Sequence, residues 1–266
     1  PLHLWLPNAY TYAPSVVTAF LAATATKVAV YVLLRFVFNV FGADFSLRDM
    51  PLDPILMGLG LIGMLSASLV AVFQDDVKRM LAYSSVAQIG YMLIGIGLAS
   101  TTGIGAAILH IFNHALMKGA LFLALGAVAY RIGAVTVRDF AGLGRRMPWT
   151  MAAIALGGLS LIGVPPTVGF ISKWYLVLGT LEQGLWPIAV LILIGSLLAL
   201  VYIWRLIEAA YFEAPVSNSV EVREAPASML IPTWALVAAN FYFGIQTDVS
   251  VGAAMRSAGV LMGSGG

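Results

Sequence analysis

Residues 103–130 read GIGAAILHIFNHALMKGALFLALGAVAY, a run without an acidic side chain in which His110, His114 and Lys118 are the only ionisable residues apart from the terminal tyrosine. As an α-helix the run is about 42 Å long, ample for a hydrocarbon core of about 30 Å. The spacing of its bases is i, i+4, i+8. Each step turns about 40° and climbs about 6 Å, so the three lie on one face as a ladder about 12 Å long. Ionisable residues inside a membrane span face the bundle interior and mark ion or proton pathways. Imidazole ordinarily titrates near neutral pH, which suits a proton relay. A structural alternative has the same groups only hydrogen-bonded to neighbouring helices. Two histidines at i, i+4 on one helix cannot take opposite faces of a haem, and a zinc site needs a further Cys, His or carboxylate ligand that no span here obviously offers.

Composition extends this reading to the whole chain. Of 266 residues, 61% are hydrophobic and 10% charged, with a mean hydropathy of +0.95, against about 45–50% and 25% for soluble domains. A water-soluble globule is excluded, and an all-α polytopic membrane bundle is predicted. The absence of cysteine removes disulfides, iron–sulfur clusters and thiol chemistry, and no cofactor or metal is expected. The net charge of +2 includes bases within spans and describes no nucleic-acid surface. The chain opens on Pro1 without a signal peptide's charged start, and is read as truncated.

Seven segments are apolar enough to cross. They are 14–41, preceded by an interfacial stretch with Trp5, Tyr10 and Tyr12, then 54–73, 81–99, 103–130, a segment starting at Pro148, 186–212 and 229–245. The fifth contains GVPP, and Gly163, Pro165 and Pro166 break it into halves of about fifteen residues, so it is predicted to be discontinuous. Residues 1–247 form the membrane domain, and 248–266 are predicted to be a frayed tail. Alternating loops place Lys78, Arg79, Arg131, Arg138, Arg145, Arg146, Arg205 and Arg223 on one side and Arg35, Arg48 and Arg256 on the other. The positive-inside rule makes the first side cytoplasmic and starts the chain there.

The remaining bases, Lys27, Lys118 and Lys173, lie within spans. Lys27 is near mid-bilayer, where a lysine costs about 2.5–3.5 kcal/mol on insertion scales. It reads as part of an ion pathway or, alternatively, as an assembly lysine facing another subunit's carboxylate. Lys173 follows the break, where freed backbone groups line cavities and substrate sites; its alternative is snorkelling to headgroups. Thr24, Thr26, Tyr31, Ser84, Ser85 and Gln88 are secondary candidates for bridging the bases. GLGLIG (58–63) matches G-x-G-x-x-G, but without a preceding strand it reads as small residues for helix packing.

Four ordered motifs then stand out: HLWLPNAYTYAPSVVTAFLAATATKVAVYVLLR (3–35), QDDVKRMLAYSSVAQIGYMLIGIG (74–97), HIFNHALMKGALFLALGAVAYRIG (110–133) and GVPPTVGFISKW (163–174). They resemble the antiporter-like membrane subunits shared by respiratory complex I and Mrp-type Na⁺/H⁺ antiporters. The resemblance implies two inverted five-helix repeats, of which this chain is the second with flanking helices. It implies that Lys27 links two half-channels, that His110, His114 and Lys118 form the central relay, and that Lys173 stands on the broken helix near the exit. Protons would pass through His114, His110 and Lys118 and leave near Lys173, with Na⁺ a further candidate cargo.

Lys173 departs from the complex I M-type glutamate, Lys27 from the L-type histidine, and Asn8 stands where WLPD has Asp. The stretch VREAPASMLIPTWALVAANFYFGI (222–245) looks closest to the Mrp D subunit, with a complex I or related hydrogenase or dehydrogenase subunit as the alternative. The implied partners are other membrane subunits in a prokaryotic inner membrane. Two further classes compete: a non-transporting scaffold, in which neutralising Lys27 or Lys173 lowers assembly rather than flux, and a quinone site near His110.

Overall fold

A computed structural model describes residues 3–133, 135–215 and 222–263, with the Arg48 side chain excepted. Pro1, Leu2 and the last three residues of the expected tail lie outside the described residues. All the regular structure among the described residues is helical, apart from an isolated antiparallel bridge between Asp76 and Thr136. The helices are α1 Trp5–Tyr12, α2 Ser15–Ala23, α3 Ala25–Leu34, α4 Leu52–Val72, α5 Val77–Gly97, α6 Thr101–Ile132, α7 Leu143–Arg146, α8 Pro148–Ile162, α9 Val168–Glu182, α10 Trp186–Phe212, α11 Ala227–Ile245 and α12 Asp248–Leu261. Among the described residues six runs are long and apolar enough to cross a membrane, one of them 15–40 taken whole. The seventh expected crossing is the α8–α9 pair, each half fifteen residues long.

The bundle is centred on α5 and α6, which are mostly buried, while α2–α3, α4, α10 and α11 turn apolar side chains outward, as lipid requires. Small residues permit the closest approach. A Cβ on Gly60 would stand 2.7 Å from the Gly90 carbonyl oxygen, and one on Gly90 2.6 Å from that of Gly60. Of the three glycines in GLGLIG, Gly60 is thus the one at a helix contact; Gly58 and Gly63 face open space. Helix α2 runs antiparallel along α6: a Cβ on Gly126 would stand 3.3 Å from that of Ser15, and one on Gly119 3.8 Å from that of Ala23.

Two expectations are corrected. The first span is not one helix. It breaks at Thr24 (φ −122°, ψ −57°) and passes into π-helical bonding over Arg35–Val40, leaving carbonyls near Ala22 without helical partners. The tail is not frayed over its described part. Residues 248–261 form α12, with Ala254 and Ala258 buried and Met255 set against Gly105 of α6.

The loops carrying most of the basic residues gather at one end. The Val77 N–H donates to the Val135 carbonyl at 3.0 Å, Val137 N–H to Asp75 at 2.9 Å, and Gly142 N–H to Ala209 at 3.1 Å. Arg205 pairs with Asp75 at 3.2 Å. Glu224 receives the Trp149 N–H at 2.8 Å and the Thr150 N–H at 3.3 Å. A carboxylate there satisfies amides at the start of α8 and complements the helix dipole, so it pins the outer end of the broken helix.

Candidate functional site: a buried chain of basic side chains

The five expected bases are all buried: Lys27 at 5% exposure, Lys118 and His114 at 0%, His110 at 2% and Lys173 at 6%. No Asp or Glu side chain is buried among the described residues. The bases are therefore held by neutral oxygens, and the two helix breaks supply part of them. Lys27 Nζ donates to the Ala22 carbonyl, freed by the break at Thr24, and to Thr26 Oγ1 at 3.3 Å. Lys118 Nζ donates to the Leu81 carbonyl at 2.7 Å and contacts Ser84 Oγ. Lys173 Nζ donates to the carbonyls of Leu161 at 3.0 Å and Ile162 at 2.9 Å and meets Ser196 Oγ at 3.1 Å. Each lysine thus has main-chain carbonyl and hydroxyl partners. A hydroxyl accepts from an ammonium and can turn to donate to a neutral amine, so these sites can hold either form of the base.

His110 is fixed from two helices. Its Nε2 meets Gln88 Oε1 of α5 at 2.9 Å and its Nδ1 meets Ser172 Oγ of α9 at 2.8 Å. With the amide in this orientation Nε2 carries the hydrogen and Nδ1 accepts from the serine. The His114 ring stacks on that of His110 with centroids 5.9 Å apart and planes 9° apart. Neither ring nitrogen of His114 is hydrogen-bonded, nor is Asn113 Oδ1. Asn113 Nδ2 donates to the Val168 carbonyl at 2.7 Å, tying the α6 ladder to the first residue of α9.

Tyr91 joins the break to the ladder. Its ring centroid lies 4.8 Å from Lys173 Nζ and 5.9 Å from that of His110. Gly195 permits the approach, since a Cβ there would stand 2.6 Å from the tyrosine oxygen. Lys173 is therefore at the His110 end, and the spatial order is Lys118, His114, His110, Lys173. This corrects the expected sequence, which set Lys118 between His110 and Lys173. Lys27 approaches the ladder from the side, between His114 and Lys118: with Ala23 opposite Gly119, a further four residues along α2–α3 reach about the level of residue 115.

Tyr91, Ser172, Ser196 and Asn113 were not singled out from the sequence. A signal existed for Tyr91, because Ser84, Gln88 and Tyr91 repeat at helical spacing and fall on one face of α5. Ser196 is an isolated serine in an apolar helix and carries none.

Residues 1–199 match the family described as NADH:quinone oxidoreductase/Mrp antiporter, TM. The chain is 44% identical over 247 residues to NADH-quinone oxidoreductase subunit N of Desulforudis audaxviator, covering 87% of this chain and 48% of that protein. It is 32% identical over 271 residues to F(420)H(2) dehydrogenase subunit N of Methanosarcina mazei, covering 98% and 54%. Among solved structures, the Mrp complex from Dietzia sp. DQ12-45-1b superposes with a TM-score of 0.89 at 25% identity, covering 98% of this chain and 56% of the other. The chain spans about half the length of the curated relatives it matches. A multi-pass bundle with a helix broken at GVPP, matched over three quarters of its length, thus belongs to the NADH:quinone oxidoreductase/Mrp antiporter transmembrane family.

Proposed function

We propose that the chain is part of a proton-translocating subunit of a redox-driven membrane complex, of the kind that its relatives named subunit N belong to. The observation that carries the reading is the enclosed series Lys118, His114, His110, Lys173 with Lys27 beside it, five bases without a buried carboxylate among the described residues. A scaffold needs no such series, because uncompensated bases in an apolar interior cost stability. The Mrp D-type assignment favoured by residues 222–245 gives way, since the relatives at 44% and 32% identity are N subunits of oxidoreductases. The likeness to the Mrp complex reflects the fold and family that both share.

In this mechanism protons enter from the end that carries the basic loops and reach Lys118 beside Ser84. They pass His114 and His110 and arrive at Lys173, while Lys27 couples the path to the rest of the subunit. Neither ring nitrogen of His114 has a hydrogen-bond partner, so in this mechanism mobile water relays the proton past it. One charge moved across 100 mV corresponds to about 2.3 kcal/mol, the size of step that a change of partners at a lysine can drive.

The test is Lys118→Ala in the whole subunit within its complex, in inverted vesicles supplied with the electron donor, NADH first. Donor-driven acidification falls at least tenfold while the complex still assembles. Undiminished acidification would overturn the reading, and loss of assembly alone would favour a scaffold.

A further inference from the structure

The break between α8 and α9 is built like a binding site for a monovalent cation. Helix α8 ends at Gly163, whose φ of +96° is a left-handed conformation that favours glycine. The carbonyls of Leu161 and Ile162 are left without helical donors, at the negative end of the helix dipole. Ser196 Oγ of α10 completes a set of three oxygens, and the Tyr91 ring offers its face. In broken membrane helices, carbonyls at a half-helix C-terminal end are what coordinate an alkali cation. Here a nitrogen occupies the place, 2.9 to 3.1 Å from all three oxygens. Gly163 also makes room for its stem, since a Cβ there would stand 3.1 Å from Lys173 Cδ.

We propose that this break is a monovalent-cation site whose cation is tethered: Lys173 fills it with its own amine, which closes it to Na⁺ and other free cations. An ammonium has three N–H groups for the three oxygens. When it loses a proton, two N–H bonds to the carbonyls remain and the Ser196 hydroxyl turns to donate. The nitrogen stays in place in both forms, so no free cation gains access during a cycle. The proposal deepens the proton-translocating reading, on which its consequence for selectivity rests; the cation site itself does not depend on it.

The test reads binding, not flux. The whole subunit is purified in its complex, and thermal unfolding is followed while ammonium chloride or NaCl replaces choline chloride at constant ionic strength. Lys173→Ala and Lys173→Ser remove the tether and leave the oxygens. For at least one of them, Tm rises by roughly 2–4 °C at a cation concentration about tenfold above its dissociation constant. The unsubstituted protein and Lys173→Met, whose apolar stem refills the space, show no cation-specific rise. A saturable Na⁺ effect on the unsubstituted protein would overturn the proposal, as would two emptied variants that respond to neither cation. If the emptied variants aggregate, recovery of a monodisperse complex in ammonium but not in choline supports the site, and no recovery counts against it. A Lys118→Ala variant that still translocates would sink the translocation reading without touching this result.

Discussion

His110 is held from two sides, with both ring nitrogens engaged and the two partners on different helices. The bases themselves were legible in the sequence because a charge within an apolar span is costly and seldom idle. Their partners were not, because serine, threonine and glutamine in a membrane helix often bond only to their own backbone. Ser84 and Gln88 are candidates for bridging the bases, yet nothing in a one-dimensional pattern pairs Lys118 with the first or His110 with the second. Gln88→Leu is of similar size and removes one partner, leaving Nε2 of a fully enclosed ring unsatisfied. The expected cost is about 1–3 kcal/mol, measured as a lower midpoint in detergent thermal unfolding. An unchanged midpoint would mean that the imidazole finds another acceptor and that Gln88 does not fix its tautomer.

At the scale of elements, the two breaks perform the same task and were unequally readable. GVPP announces itself: Pro165 and Pro166 cannot continue α8, and Gly163 supplies the left-handed residue that ends it. The break at Thr24 lies in AATATK, which contains neither proline nor glycine. It is defined by tertiary contacts, with Tyr10 donating to the Leu21 carbonyl at 3.3 Å and Lys27 to that of Ala22. Helix α12 was missed because 248–261 is too short to span and only moderately apolar; its burial comes from α6, not from its own pattern. Gly163→Ala tests the first break. It imposes a positive φ on a residue with a side chain and presses a methyl against the Lys173 stem. The expected destabilisation is about 1–3 kcal/mol, read as a Tm decrease, with donor-driven acidification reduced because the lysine is displaced. Full stability in this variant would show that the break tolerates a rearranged turn.

For the whole molecule, the arrangement of charge bears on what the complex moves. Most of the loop cations gather at one end, the apolar outer helices face lipid, and the described interior holds bases without acids. An interior of that kind suits protons, which ride on the bases, and repels free cations, which find no buried carboxylate to neutralise them. Residues 1–199 place the chain in a family whose description names both an oxidoreductase and an antiporter, so membership alone does not decide between the two. The decision falls to an assay on the intact complex in sealed vesicles. With the electron donor present, the lumen acidifies in inverted vesicles at a rate unchanged when choline replaces Na⁺ at constant ionic strength. Without donor, an imposed ΔpH decays no faster after adding NaCl than after adding choline chloride. Sodium-accelerated decay that disappears in Lys27→Ala would instead place a sodium–proton exchange on this chain. It would also require a free cation to approach bases that no buried acid among the described residues neutralises.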